Sequence, residues 1–225
     1  MISNSPKSLK ENESIHLRDK SGNSFKRFCD ISFSLFVLLL GCPVFIFIAL
    51  LVKLSSYGPI FYIQERVGKN LRSFGCIKFR TMYPEADDLL AKLLENNQEI
   101  REEFERDFKL KFDPRITPIG RFLRRTSLDE LPQFINVIIG DMSVVGPRPI
   151  VVKEIEKYGT FIKEFSSVRP GLTGLWQVSG RNNLSYKRRV DLDVIYVRNR
   201  NLIMDLRILL RTFAVLLLPM DRGAY

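Results

Sequence analysis

Histidine is nearly absent: the 225 residues contain one, His16, in a polar N-terminal stretch, so histidine-based catalysis has no plausible candidate. Cysteine is almost as scarce. Cys29, Cys42 and Cys76 show no metal-ligand spacing, and two of them lie in or beside an apolar run, so all three read as reduced and structural. Neither the Rossmann nor the P-loop glycine pattern occurs, and there are no internal repeats. The single tryptophan, Trp176, reads as a core or membrane-interface aromatic. Aromatics are not interleaved with basic residues as a single-strand nucleic-acid binder requires, so no nucleic-acid partner is expected.

What the chain does have is positive charge, and it is unevenly placed. The formal balance is +10; residues 113–225 carry eighteen bases against eleven acids, while residues 84–112 are net acidic. A basic C-terminal half attracts phosphate-rich partners. At 45% hydrophobic, the chain is long enough for one domain with a proper core.

Three regions follow from the hydropathy. Residues 1–24 are polar and predict a poorly ordered tail. Residues 25–54 contain Ile31 to Val52, twenty-two residues without a charge, long enough to cross a bilayer. Pro43 stands mid-run beside Gly41 and Cys42, where a helix would break or kink, and Lys26-Arg27 and Lys53 make both flanks positive. A spanning helix and one that turns back both satisfy this pattern. Residues 55–225 form the remaining domain.

Within it, Asp113 to Pro149 concentrates the chemistry. Arg115, Arg121, Arg124 and Arg125 precede the adjacent acids Asp129-Glu130, and Asp141 and Arg148 follow. Cations around acids suit a site holding phosphate and a metal ion together. Ser127-x-x-Glu130 also fits a capping box, in which Glu130 only caps. Pro132 favours a helix starting nearer Asp129, with Gly140 ending it.

Gly58 to Met82 reads as a β-hairpin turning at Gly68-Lys69-Asn70. It ends in KFRTM, which places Lys78 and Arg80 on one strand face. Pro84 to Phe112 predicts one or two surface helices, and Val151 to Phe165 another. Asp191 and Asp193 cannot share a helix face, so at most one enters a site. Leu202 to Leu218 is apolar apart from Arg207 and Arg211 (and Asp205), too interrupted to span, and suits a helix lying in the interface.

TSLDELPQ followed by NVIIGDMSVVGPRP, with KFRTM before it and RPGLTGLWQ and YKRRVDLDVIYVR after it, resembles the bacterial monotopic phosphoglycosyl transferases from about Phe25 to Leu218. The resemblance implies a mostly helical, membrane-associated α+β enzyme with a small β-hairpin, a Pro-broken re-entrant helix over residues 25–54 and a cytoplasmic catalytic domain on the bacterial inner membrane. It implies transfer of a phosphosugar from a UDP-sugar donor to a polyprenyl phosphate acceptor, with Mg²⁺ as cofactor and release of UMP. Asp129 is then the expected nucleophile and Glu130 its partner, with both as metal neighbours. Lys78, Arg80, Arg124, Arg125, Arg148, Arg169, Gly171, Thr173, Gly174, Arg181, Asp191 and Asp193 are the expected substrate-binding residues. With some 30 residues before the apolar run, the chain resembles the family's minimal form; membrane lipids are expected partners, and self-association is left open. The rival classes are a basic binding protein on nucleic acid or anionic lipid and a structural membrane anchor, both separable from an enzyme by UMP release.

Overall fold

The apolar run builds the longest element of the computed structural model, which describes residues 6–107, 110, 112–180 and 183–217. This is α1, Pro6–Ser55, whose side chains are described from Ser24 onward. It begins at a proline, whose fixed φ suits a first helical turn, and so reaches well into the stretch expected as a tail. α1 is helical on both sides of Pro43, which stands inside it. One hydrogen bond is forfeited there, while Phe45 and Ile48 in the next turn pack against the rest of the chain and hold the helix in place. Ser24–Ser55 is long and apolar enough to cross a membrane.

One stripe of α1 faces inward. Asp30, Ser34, Val37, Phe45, Ile48 and Val52 recur at helical spacing and are buried or half-buried, whereas Phe36, Leu39, Leu40, Ile46, Phe47 and Leu54 are exposed. The inward stripe touches the domain along its whole length. Lys26 meets Asp205 at 2.6 Å, Ser143 donates to Asp30 at 2.7 Å, and the Phe33 and Phe134 rings lie 6.1 Å apart. Farther on, Phe45 lies 5.9 Å from Phe79, and Arg80 donates to the Val52 and Ser56 carbonyls.

The hairpin forms as expected, from β1, Phe61–Val67, paired antiparallel with β2, Ser73–Phe79. A 3₁₀ turn over Lys69–Leu71 joins them, with Asn70 at φ 57°, a left-handed value asparagine tolerates well. Two surface helices follow, α2, Ala86–Asn96, and α3, Gln98–Asp107. Next comes α4, Pro118–Thr126, capped by Thr117, which accepts from the Gly120 N–H at 2.9 Å. Gly120 sits so close to the Thr81 carbonyl that no Cβ would fit between them.

α5, Gln133–Ile139, ends at Gly140 (φ 105°), as expected. It is fastened to β2 by Asn136, which is fully buried: its Oδ1 accepts from Ile77 N–H at 2.9 Å and its amide donates to Gly75 at 2.7 Å. A second, parallel two-stranded sheet was not expected: β3, Ser143–Val145, pairs with the later β4, Gly171–Thr173. Between them, the helix expected over Val151 to Phe165 is split into α6, Ile155–Tyr158, and α7, Ile162–Phe165, separated by Gly159 at φ 51°. The C-terminal helices are α8, Leu175–Ser179, α9, Tyr186–Asn199, and α10, Leu202–Leu217. The main core joins α5, β3, Tyr196 and Ile208, with Phe33 and Val37 of α1 packed on it. The chain is thus mostly helical with a small antiparallel sheet.

Candidate active site

α4 ends at Ser127 in the left-handed conformation (φ 58°, ψ 17°), with its N–H on the Arg124 and Leu123 carbonyls. That reversal sets Leu128–Glu130 into a 3₁₀ turn, and Pro132 then serves as the N-cap of α5. Ser127 makes no side-chain cap bond, so the capping box does not form. Glu130 turns instead to two cations. Its Oε1 accepts from Lys78 Nζ at 3.1 Å and from Arg148 at 2.9 Å.

The two adjacent acids sit in different electrostatic conditions. Burial raises the pKa of Glu130, but Arg148 and Lys78 outweigh it and hold the carboxyl well below the ordinary carboxylate range. Asp129 is buried, and burial followed by the Glu130 charge raises its pKa, with Lys78, Arg124 and Arg148 opposing the shift. The result is a fixed anion beside a more basic carboxyl. Arg124 stands near Asp129 and donates to Thr81 Oγ1 at 2.9 Å.

Lys78, Arg124, Asp129, Glu130 and Arg148 therefore form one cluster. The other expected site residues make their described contacts elsewhere. Arg80, whose N–H still pairs with the Ile60 carbonyl at 2.9 Å, donates from its side chain to the Val52 and Ser56 carbonyls at the end of α1. Arg115, counted among the cations around the dyad, is paired with Asp113 through Nε at 2.8 Å and a second nitrogen at 2.7 Å. Arg125 is exposed on α4. Arg169 donates to the Gly140 carbonyl at 2.7 Å, at the opposite end of α5 from the dyad. Gly171 and Gly174 lie against the Gly146 backbone with no room for a Cβ, which lets β3 and β4 close beneath the Pro147-Arg148-Pro149 loop. Thr173 faces α10, with its hydroxyl 2.8 Å from that of Thr212. Asp193 is fully buried, accepting from the Tyr158 hydroxyl at 2.9 Å, while Asp191 is half-buried on another face of α9. Arg181 lies outside the described residues. Trp176 is buried, with the Arg189 guanidinium 5.1 Å from its ring centre.

Sequence reasoning missed three supports. Asn136 locks α5 to β2, Arg66 donates to the Pro149 carbonyl at 3.2 Å, and Asp30 anchors α1 by accepting from Ser143 Oγ and, at 3.3 Å, from Val144 N–H. An acid immediately before the apolar run was the one available signal, at Asp30. As for a metal, the described residues form no group of three or more histidine, cysteine or acidic side chains. Two adjacent carboxylates fit magnesium as it is bound beside phosphates, where the substrate and water complete the shell.

Comparison with known proteins adds a family to this geometry. Residues 21–219 match the family described as bacterial sugar transferase. The chain is 46% identical over 202 residues to the undecaprenyl-phosphate galactose phosphotransferase of Salmonella typhimurium, covering 90% of this chain and 42% of that protein. It is 46% identical over 204 residues to the exopolysaccharide production protein ExoY of Rhizobium meliloti, covering 91% and 89%. It is 40% identical over 195 residues to the UDP-glucose:undecaprenyl-phosphate glucose-1-phosphate transferase of Escherichia coli, covering 83% and 39%. The chain thus spans about two fifths of the Salmonella and Escherichia proteins and nearly nine tenths of ExoY.

Proposed function

Because the chain belongs to the bacterial sugar transferase family, we propose that it transfers a phosphosugar from a UDP-sugar to a polyprenyl phosphate such as undecaprenyl phosphate. UMP leaves, and a polyprenyl-diphosphate sugar remains for surface polysaccharide or glycoconjugate assembly. The names of the Salmonella and Escherichia relatives support this substrate pair. The observation that carries the reading is the cluster itself: a buried Asp129 of raised basicity beside a Glu130 held by Lys78 and Arg148.

In this mechanism the ionised Asp129 attacks the sugar-linked phosphorus of the donor. The bond from that phosphorus to the bridging oxygen breaks, and the oxygen leaves on UMP. An oxygen of polyprenyl phosphate then attacks the acyl phosphate, and the Asp129 carboxylate is released. Splitting the transfer spares two anionic substrates from meeting in one step. Lys78 and Arg148, which converge on one Glu130 oxygen in the free protein, are placed to share their charge with donor phosphates. Asp129 and Glu130 would hold Mg²⁺, whose chemistry is to neutralise and orient the diphosphate.

The protein works, on this reading, at the cytoplasmic face of the inner membrane, with both ends of α1 on one side. The contacts of Lys26 and Val52, about 39 Å apart along the helix, with the same domain support this reading. Ser24→Cys and Ser55→Cys, each with Cys29 and Cys42 replaced by serine, should both resist an impermeant thiol reagent in intact cells. Labelling of the first alone would establish a spanning helix. For the chemistry, membranes given a panel of UDP-sugars should release UMP with at least one. Donor alone should add the mass of one phosphosugar to the protein. UMP appearing only when both substrates are bound would refute the covalent route.

A further inference from the structure

Away from the dyad, α10 borders an open cavity of about 320 Å³. Leu175, Met204 and Ile208 give it an apolar wall, and Arg207 and Arg211 stand at its edge. None of these residues belongs to the elements that hold Asp129 and Glu130. The two arginines are exposed and four residues apart, so they share one flank of the helix. That flank separates two faces. Asp205 and Ile208 are buried on one side, and Leu202, Leu206, Leu210 and Phe213 are exposed on the other.

The cavity itself does not compensate these charges, since no acidic residue among the described ones lines it. Asp205, the acid on α10, points inward to Lys26 and to the Tyr196 hydroxyl, at 2.6 Å and 2.8 Å. A small inorganic anion would satisfy the arginines and leave the apolar wall in water. A neutral lipid would cover the wall and leave the arginines unanswered. Both features are met by an amphiphile with an anionic phosphate head, in which arginine binds phosphate oxygens bidentately and the acyl chain continues along the exposed apolar face. We propose that this cavity is a binding site for an anionic phospholipid, with Arg207 and Arg211 holding the headgroup phosphate. The inference rests on the membrane-surface reading of the chain and adds a specific lipid to it.

The full chain in a neutral detergent, titrated with dihexanoyl-phosphatidylglycerol or dihexanoyl-phosphatidylcholine and followed by thermal unfolding, tests it. Phosphatidylglycerol should raise the midpoint saturably and phosphatidylcholine should not. Arg207→Gln/Arg211→Gln should weaken the phosphatidylglycerol response at least about tenfold, a loss of about 1.4 kcal/mol. Leu175→Trp, which fills the cavity but keeps both charges, should weaken it too. If the double variant misfolds by circular dichroism, each single substitution is used instead. Equal responses to the two lipids, an unchanged response in the variants, the same effect from inorganic phosphate alone, or displacement of the lipid by polyprenyl phosphate would each overturn the proposal. Flotation with pure phosphatidylcholine vesicles checks the membrane reading separately. Failure of wild type to float sinks that reading, whereas flotation with an unaltered lipid preference in the double variant sinks only this site.

Discussion

Glu130 and Asp193 are both carboxyl groups withdrawn from solvent, and their surroundings push their pKa values in opposite directions. The Glu130 side chain is 18% exposed and receives two cations on one oxygen, so it stays anionic far into acid. Asp193 is fully buried with the Tyr158 hydroxyl on Oδ2 and no partner on Oδ1 among the described residues. Burial pushes its pKa up to about 8, against smaller opposing effects of Tyr158 and Arg148. Depth alone does not decide the charge of an interior acid. A full positive charge within bonding distance offsets desolvation, and a neutral hydroxyl does not. The first arrangement makes a charged site, and the second makes a polar core contact.

The comparison can be broken at its reactive neighbour first. Asp129→Asn should lower UMP release at least about a thousandfold while leaving the fold intact, because the nucleophile is lost. The mass gained by wild type from donor alone should vanish with it. Next in size, Arg148→Ala or Lys78→Ala should remove about 1.5–3 kcal/mol of charge-assisted bonding, or roughly 10- to 150-fold in kcat/KM. Either change also moves Glu130 toward the condition of Asp193, so its pKa should rise, measurable by carboxylate infrared bands.

The third prediction concerns stability. Between the ordinary aspartate value near 4 and about 8, native Asp193 keeps a proton that the unfolded chain has lost. Wild type should therefore lose up to about 1.4 kcal/mol per pH unit from this group as pH rises through that window. Asp193→Asn has no proton to lose, so its melting temperature should gain on wild type between pH 5 and pH 8. An unchanged difference would mean that Asp193 is ionised throughout. The smallest shift is expected in the pH profile of Glu130→Gln, a variant that also loses activity with a dyad carboxylate. Removing the neighbouring charge should lower the raised pKa of Asp129, and the acid limb of residual adduct formation should move to lower pH.

The features legible in the sequence were those set by near neighbours. The hairpin, the Gly140 stop and the grouping of Arg124 and Arg148 with the acids follow from residues close in sequence, whereas Lys78, 52 residues from Glu130, was legible only through the family resemblance. The contacts of Arg80 were not legible, because its side-chain acceptors, the Val52 and Ser56 carbonyls, lie 24 to 28 residues earlier at the end of α1. Gly171 and Gly174 gave no sign that their missing side chains admit the Gly146 backbone, a contact across about 25 residues. The capping box failed for a local reason: Ser127 ends one helix in a left-handed turn and so cannot start the next with its hydroxyl. Asn136 and Asp30 gave little warning, since their partners lie 59 and 113 residues away.

Lys78 and Arg80 are separated by about 7 Å of chain, the length of two extended residues. One grips Glu130 and the other grips the end of α1. On the proposed reaction, one substrate arrives dissolved in water and the other is confined to lipid, so the chemistry must take place at a fixed depth. The two grips act as a ruler for that depth. Its length is written in backbone, which cannot stretch, so on that reading the dyad keeps a fixed distance from the end of α1.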